Sequence, residues 1–397
     1  MKKQPQSNKN DMSSNKPRRI IVSALKAFIV ILLVLAVPLV NYNIDPSKLY
    51  HTGREDSLEI QAVEFLLDGK NVANLSNYNE RLLHREYLRH IDTPFDTVVL
   101  GSSRGALITK EMLGTDNMFN LSVSGASIED IIGTYGYLHM NNLVPHRLVI
   151  SIDPWILNDN FGDARALEAF GDGYAHYLTT RIGADYTASY IPSGLYDINN
   201  TERTPLYKLS NSLKLNLFSI SYFQTSLQQY FSGSYATYSK IVKTSENSGT
   251  TGIVRADGSF SYPADYRNAD EATIIMRAER SFPSSILGLE NYENMNSKNR
   301  LLFEKFIQTV IEDGVQVEFL LEPLSPVIYD YMKTEERYSN FFKTQDMFTS
   351  LAEKYGVEYT GTFNPHAANL SIDDFYDGYH VKPECIATLI QPLNEES

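Results

Sequence analysis

The stretch that most restricts what this chain can become is Asp96-Thr-Val-Val-Leu-Gly-Ser-Ser-Arg-Gly105. Thr97–Leu100 is a run of β-branched and aliphatic residues, the pattern of a strand buried on both faces. It breaks into Gly101-Ser102-Ser103-Arg104-Gly105, where small residues permit a sharp turn. A hydroxyl on such a turn, at the carboxyl edge of a parallel sheet, stands where open α/β folds place their ligands. Near the other end, Asp377-Gly-Tyr-His380 precedes Pro383 and a short apolar segment. Ser103, Asp377 and His380 can therefore form a triad, which is defined by geometry and not by sequence spacing.

Beyond the first strand the chain alternates. The patterns predict a strand within 117–122, a helix over Ile128–Met140 and a strand over 146–153. A helix over 299–313, a strand over 315–321, a helix over 344–355, a strand over 357–360 and a closing helix over 382–390 follow. Strands alternating with helices predict an α/β fold, a parallel sheet covered on both faces. Residues 156–296 break this rhythm. They are rich in Tyr, Ser, Asn and Gly and far too long for a structureless loop, so they read as an inserted lid or substrate subdomain. Tyr174, Tyr177, Tyr186, Tyr190 and Tyr196 suit stacking on sugar rings and packing a subdomain core equally well.

Ahead of the first strand lie three shorter regions. Residues 1–19 form a basic tail, and residues 20–40 are apolar except for Ser23, Lys26 and Pro38, long enough to span a bilayer. The basic flank predicts a cytoplasmic N-terminus and an extracytoplasmic main domain. No A-x-A site follows the apolar run, which favours an uncleaved anchor over a signal peptide. Residues 41–96 read as a polar stem whose amphipathic patch at 81–90 docks one helix on the domain, with His84 and His90 at its surface. The core then divides into 97–155 and 297–397 around the insertion.

Charge narrows the partners. The formal net charge is −13, and residues 1–26 hold seven basic side chains against one acid, which leaves −19 for the rest. An acidic body argues against nucleic acid. The single cysteine, Cys385, excludes an intramolecular disulfide framework and reads as a small core residue.

Three blocks together resemble the SGNH/GDSL hydrolase superfamily. Gly101-Ser102-Ser103 resembles its G-D-S block, with Ser102 in the Asp position and Ser103 as nucleophile. Asn120-Leu-Ser-Val-Ser-Gly125-Ala-Ser127 is similar to its second block, whose glycine N–H helps to form the oxyanion hole. Asp377-Gly-Tyr-His380 resembles its final D-x-x-H block. The blocks fall in the family's order, and the resemblance covers about residues 95–155 and 297–391. It implies an SGNH-like (flavodoxin-like) sheet, a His380 that takes the Ser103 proton, and an Asp377 that holds the imidazole. With the anchor, the chain looks most like the envelope branch, which includes the membrane protein of teichoic-acid D-alanylation and proteins acting on O-acylated surface polysaccharides. That implies acyl-ester hydrolysis or transfer on a cell-surface glycan or acylated polymer, without metal or cofactor, with a membrane acyltransferase as a further partner. The third family block, G-x-N-D, reads Ile152-Asp153-Pro154-Trp155 here, so Asn158 or Asn160 must supply that oxyanion donor or the hole relies on the N–H groups of Ser103 and Gly125.

Competing readings exist for several of these residues. Ser102 is the alternative nucleophile, and Arg104 suits either an anionic substrate group or a structural ion pair. His366, Asp373 and Asp374 lie close to His380 in sequence but without a recognised metal-ligand spacing. Gly101 to Gly105 with Tyr329-x-x-x-Lys333 also resembles a short-chain dehydrogenase fingerprint, but Leu107 occupies the place of its last glycine. A non-catalytic envelope protein that keeps the fold to hold a glycan or an acyltransferase is the alternative from another function class.

Overall fold

The computed structural model describes residues 21–23, 26, 35–44, 58–73, 75, 78–158, 161, 165–183, 217–231, 242–244, 251–282, 286, 289, 292, 295 and 297–395. Contacts divide the chain into two units. The larger, Leu58–Asp197 with Lys240–Ser397, is the α/β unit. Its main sheet is built from β2 (Thr97–Leu100), β3 (Met118–Asn120), β4 (Arg147–Ile152), β8 (Gln316–Leu321) and β9 (Glu358–Gly361). The strands are all parallel, in the order β3-β2-β4-β8-β9. Order reverses around β2, so the chain leaves β2 and β4 in opposite directions and opens a crevice at their carboxyl ends. That crevice is where the Gly-Ser-Ser turn sits. The fold class expected from the sequence, an α/β parallel sheet flanked by helices, is the observed one.

Successive strand residues face opposite sides, which gives each face its own core. Val99, Val149 and Leu320 share one side with Ile274, Phe375, Val381, Ile386 and Ile390, all buried. These come from α6 (Glu271–Glu279), the D-x-x-H loop and α10 (Pro383–Glu395). On the other side Phe319 of β8 meets Phe303 of α7 (Ser297–Glu312), with ring centroids 6.0 Å apart. Also buried are Ile131, Ile132 and Tyr135 of α3 (Ile128–Met140), and Tyr135 meets Phe306 of α7 edge-on.

Parts of the presumed stem and insertion belong to this unit. Helix α1 (Leu58–Leu67) buries Leu58, Ala62, Val63 and Leu66, and α2 (Glu80–Leu88) sends Arg81 into a buried bidentate pair with Asp130 of α3 at 2.6 and 2.8 Å. His84, expected at the surface, is buried instead, and desolvation together with Arg81 lowers its pKa to about 3, so it packs as a neutral ring. Helix α4 (Arg165–Tyr177) lies directly on α3. A Cβ at Gly136 would stand 2.2 Å from the Gly173 carbonyl, so only glycine permits this backbone approach. Tyr174 and Tyr177 are buried there, and the Tyr177 hydroxyl donates to Thr309 and Asp313, which settles those two as core packing and not sugar platforms. Tyr186, Tyr190 and Tyr196 lie outside the described residues.

Residues 251–282 also return to the core. Their strands β6 (Ile253–Val254) and β7 (Phe260–Ser261) join β1 (Asn71–Ala73) and β5 (Val242–Thr244) in a small antiparallel sheet ordered β5-β1-β6-β7. The turn between β6 and β7 docks on β3: the Asn120 N–H donates to the Asp257 carbonyl at 2.8 Å. Gly258 is required there, because it has φ +81° and its Cβ would lie 2.4 Å from the Asn120 carbonyl.

The smaller unit joins Met1–Ser57 to Ile198–Ser239. In it the Asn41 side-chain amide donates to the carbonyls of Leu217 and Ser219 at 2.9 and 3.1 Å, just ahead of a helix over Ile220–Phe231. Of the apolar run 20–40, residues 21–23, 26 and 35–40 are described and all are helical. Among the described residues no helix is long and apolar enough to cross a membrane.

Candidate active site

The Gly101–Gly105 turn lies hard against β4. A Cβ on Gly101 or Gly105 would stand 2.8 or 2.7 Å from the Ser151 Cβ, so both glycines are needed for the turn to approach so closely. Asn120 at the end of β3 braces the same turn, donating to the carbonyls of Gly105 (2.8 Å) and Ile108 (2.9 Å) and accepting from the Ser122 N–H (3.0 Å). The two serines are thereby separated by role. Ser102 is fully buried, its N–H bound to Asp153 (3.1 Å) and its hydroxyl accepting from the Arg104 N–H (3.2 Å). Ser103 is half-buried, and its Oγ lies 2.9 Å from His380 Nε2.

His380 is delivered by a closed turn. The Tyr376 N–H donates to the His380 carbonyl (2.9 Å), and Phe375 bridges Val381. Asp377 Oδ1 accepts the N–H groups of Tyr379 (2.7 Å) and His380 (2.9 Å), and Asp377 Oδ2 lies 2.8 Å from His380 Nδ1. With the Nδ1 proton directed at the carboxylate, Nε2 is left as acceptor for the Ser103 hydroxyl. Burial by itself would raise the Asp377 pKa, but His380 beside it and the hydrogen bonds it accepts outweigh this and hold the carboxyl well below the usual range. The group is a fixed negative charge at any working pH.

Gly125 is positioned from another direction. Glu80 of α2 accepts from the Ser124 N–H (2.5 Å) and hydroxyl (2.8 Å), while Arg81 reaches the Ser124 carbonyl at 3.3 Å. Asp130 then accepts from the Ser127 N–H at 2.9 Å at the start of α3. Held between these anchors, Gly125 has φ +60°. Among the described residues, neither the Ser103 nor the Gly125 N–H is used in a hydrogen bond, which leaves both available to an oxyanion.

Beneath the Ser103 turn lies a buried charged group that sequence reading reached only in part. Arg104 and Asp153 are each 1 % exposed and Glu322 is 0 %. The Arg104 guanidinium contacts Asp153 at 3.4 Å and donates to the carbonyls of Glu322 and Pro323, so it is an internal ion pair. Ser151 donates to Glu322 at 2.6 Å. Burial pushes the Asp153 carboxyl up to about 7, with Glu322 adding to the shift and Arg104 opposing it. Asp153 thus stands at the strand end where the third block would begin. Asn158 is buried at the end of the turn Pro154–Leu157, its backbone bridged to Met295, and Asn160 lies outside the described residues.

The other sequence candidates are dispersed. His366 pairs with Asp330 at 2.9 Å, and Asp374 caps its own turn and accepts from the Cys385 thiol at 3.4 Å. Burial and Asp374 push that thiol up to about 12, which disfavours the thiolate form. No cluster of three metal-ligating side chains occurs among the described residues. Tyr329 and Lys333 sit on α8 (Pro326–Lys333), where the ammonium lies over the Tyr329 ring at 4.5 Å. The blocks that resemble the SGNH superfamily therefore meet in space. Compared with protein-family models and with curated proteins, the chain matches none.

Proposed function

We propose that this chain is an SGNH-type serine esterase or O-acyltransferase. It is held in the cell membrane by residues 20–40 with its N-terminus in the cytoplasm, and acts outside on acyl esters of a cell-surface glycan. The single observation that carries the reading is the continuous chain from Ser103 Oγ to His380 Nε2 at 2.9 Å and from Nδ1 to Asp377 at 2.8 Å. Nucleophile, base and orienting carboxylate stand within hydrogen-bond reach of one another, as acyl transfer through a covalent intermediate requires.

In this mechanism His380 Nε2 takes the Ser103 proton as Oγ bonds to the ester carbonyl carbon. The Ser103 and Gly125 N–H groups stabilise the oxyanion. Collapse expels the sugar alkoxide, which takes the proton back from His380, and leaves acyl-Ser103. A second hydroxyl then gives its proton to His380 and attacks the acyl carbon; the bond from that carbon to Oγ breaks, and Oγ takes the proton from His380, regenerating Ser103. Water makes the outcome hydrolysis, and a sugar hydroxyl makes it transfer. Asp377 stays ionised throughout, and no metal or cofactor is needed for any step.

The test is intact-mass analysis of the full chain in detergent after exposure to a fluorophosphonate. One adduct is expected on the wild type and on Ser102→Ala, and none on Ser103→Ala or His380→Ala. A folded wild type that takes no adduct would remove the catalytic reading. That result would favour a glycan-binding or assembly protein that retains the fold, a reading supported by Asp153-Pro154 standing where the third block has its Asn.

A further inference from the structure

We infer that Tyr266, far from Ser103, Asp377 and His380 in sequence, is a positioning residue for the His380–Asp377 pair; this rests on the catalytic reading above. The Tyr266 hydroxyl donates to Asp377 Oδ2 at 2.6 Å. It shares that oxygen with the imidazole at 2.8 Å, while Oδ1 is held by two main-chain N–H groups of the same turn and lies 3.0 Å from the same imidazole nitrogen. Without the phenol, Oδ2 keeps only the imidazole nitrogen that it shares with Oδ1, and the carboxylate loses the one donor that holds Oδ2 by itself. The hydroxyl thus sets the plane of the carboxylate, and through it the direction in which His380 presents Nε2 to Ser103.

The tyrosine is itself held on three sides. It sits on α5 (Ala264–Arg267), a single helical turn that follows β7. Its ring stacks on Tyr262 with centroids 4.7 Å apart, and Tyr262 in turn meets the His380 ring edge-on at 5.4 Å. The Arg277 guanidinium of α6 covers the other side of the Tyr266 ring at 3.9 Å. One nitrogen of Arg277 donates to the carbonyls of Tyr266 (3.1 Å) and Tyr376 (3.0 Å), fastening the Tyr266 segment to the D-x-x-H loop. Burial, then the Asp377 charge, pushes the Tyr266 phenol above its ordinary value, so it stays a donor wherever Asp377 is an anion. An arrangement of this kind restrains a carboxylate in angle as well as in distance.

The experiment compares full-length wild type, Tyr266→Phe and Tyr266→Leu in detergent. Fluorophosphonate labelling is resolved into its saturating rate and its half-saturating concentration. The proton NMR signal of the His380 Nδ1–H is recorded on the same samples. Tyr266→Phe keeps the ring packing and loses one hydrogen bond to a charged group, so its saturating rate is expected to fall about tenfold with half-saturation little changed. The Nδ1–H signal moves in the same variant, and Tyr266→Leu loses at least as much rate. A wild-type rate and an unmoved signal in Tyr266→Phe would overturn the inference, as would a rate loss matched by a lower melting temperature with the signal unmoved. If the wild type takes no label yet the signal still moves in Tyr266→Phe, the catalytic reading fails and the positioning stands.

Discussion

Two buried aspartates flank the Ser103 turn, and their environments push them in opposite directions. Asp377 accepts bonds from two main-chain N–H groups, the His380 imidazole and the Tyr266 hydroxyl, and its carboxyl is held below the ordinary range. Asp153 accepts from the Ser102 N–H and touches one guanidinium at 3.4 Å, with Glu322 as a second buried acid, and it rises to about 7. Burial disfavours charge at both. What separates them is the number of donors aimed at each carboxylate and the sign of the neighbouring charge. The first keeps a permanent charge where the proposed mechanism forms an imidazolium, and the second is a scaffold element that shapes the turn from beneath.

The sharpest way to break this contrast is Asp377→Asn. The amide leaves His380 without a proper acceptor for Nδ1–H, and labelling of Ser103 is expected to slow by about 10⁴-fold with the fold intact. Next in size is Arg104→Met, which keeps volume but leaves Asp153 without its cation. Urea denaturation is expected to show a loss of about 3–5 kcal/mol, the usual result of stripping one partner from a buried ion pair.

A third measurement concerns pH. The folded chain keeps the Asp153 proton up to about pH 7, whereas the unfolded chain releases it near 4. Between those values the folded state binds more protons, so this group's contribution to stability falls as pH rises and levels off above about 7. Asp377 runs the other way: its contribution is present above the ordinary carboxylate range and is lost on acidification below it. Melting curves of Asp153→Asn from pH 4 to 8 should therefore lack a decline that the wild type shows, and an identical slope in both would refute the assignment. The smallest effect is expected of Asn158→Ala. If backbone N–H groups supply the oxyanion hole, labelling changes by less than about twofold, against about 100–1,000-fold for a lost oxyanion donor.

Much of this arrangement was legible in the sequence because its signals are local. The helix Ile128–Met140 shows its apolar spacing within 13 residues, and β2, β4 and β8 are short apolar runs with clear ends. Ser103, Asp377 and His380 were recognisable because each sits in a short block whose residue types the chemistry demands. Arg104 was visible as a choice between substrate and structural partner, and burial against Asp153 decided it.

Tyr266, Arg277 and Glu322 carried no such signal. Tyr266 lies 111 residues from Asp377 in a region without strand–helix rhythm, one of 26 tyrosines in the chain. Nothing in its neighbours distinguishes it from a packing aromatic. Residues 58–88 looked like a stem for a related reason: α1 and α2 are short, and what gives them meaning is the surface they meet, as when Arg81 finds Asp130. The sequence alone determined the alternation that makes a parallel sheet and the small residues that let the nucleophile turn form, because both follow from backbone sterics and periodicity within a few residues. Tertiary structure alone decided which aspartate stays charged and which tyrosine holds it. Those outcomes depend on burial and on donors brought from distant parts of the chain, and no local pattern encodes them.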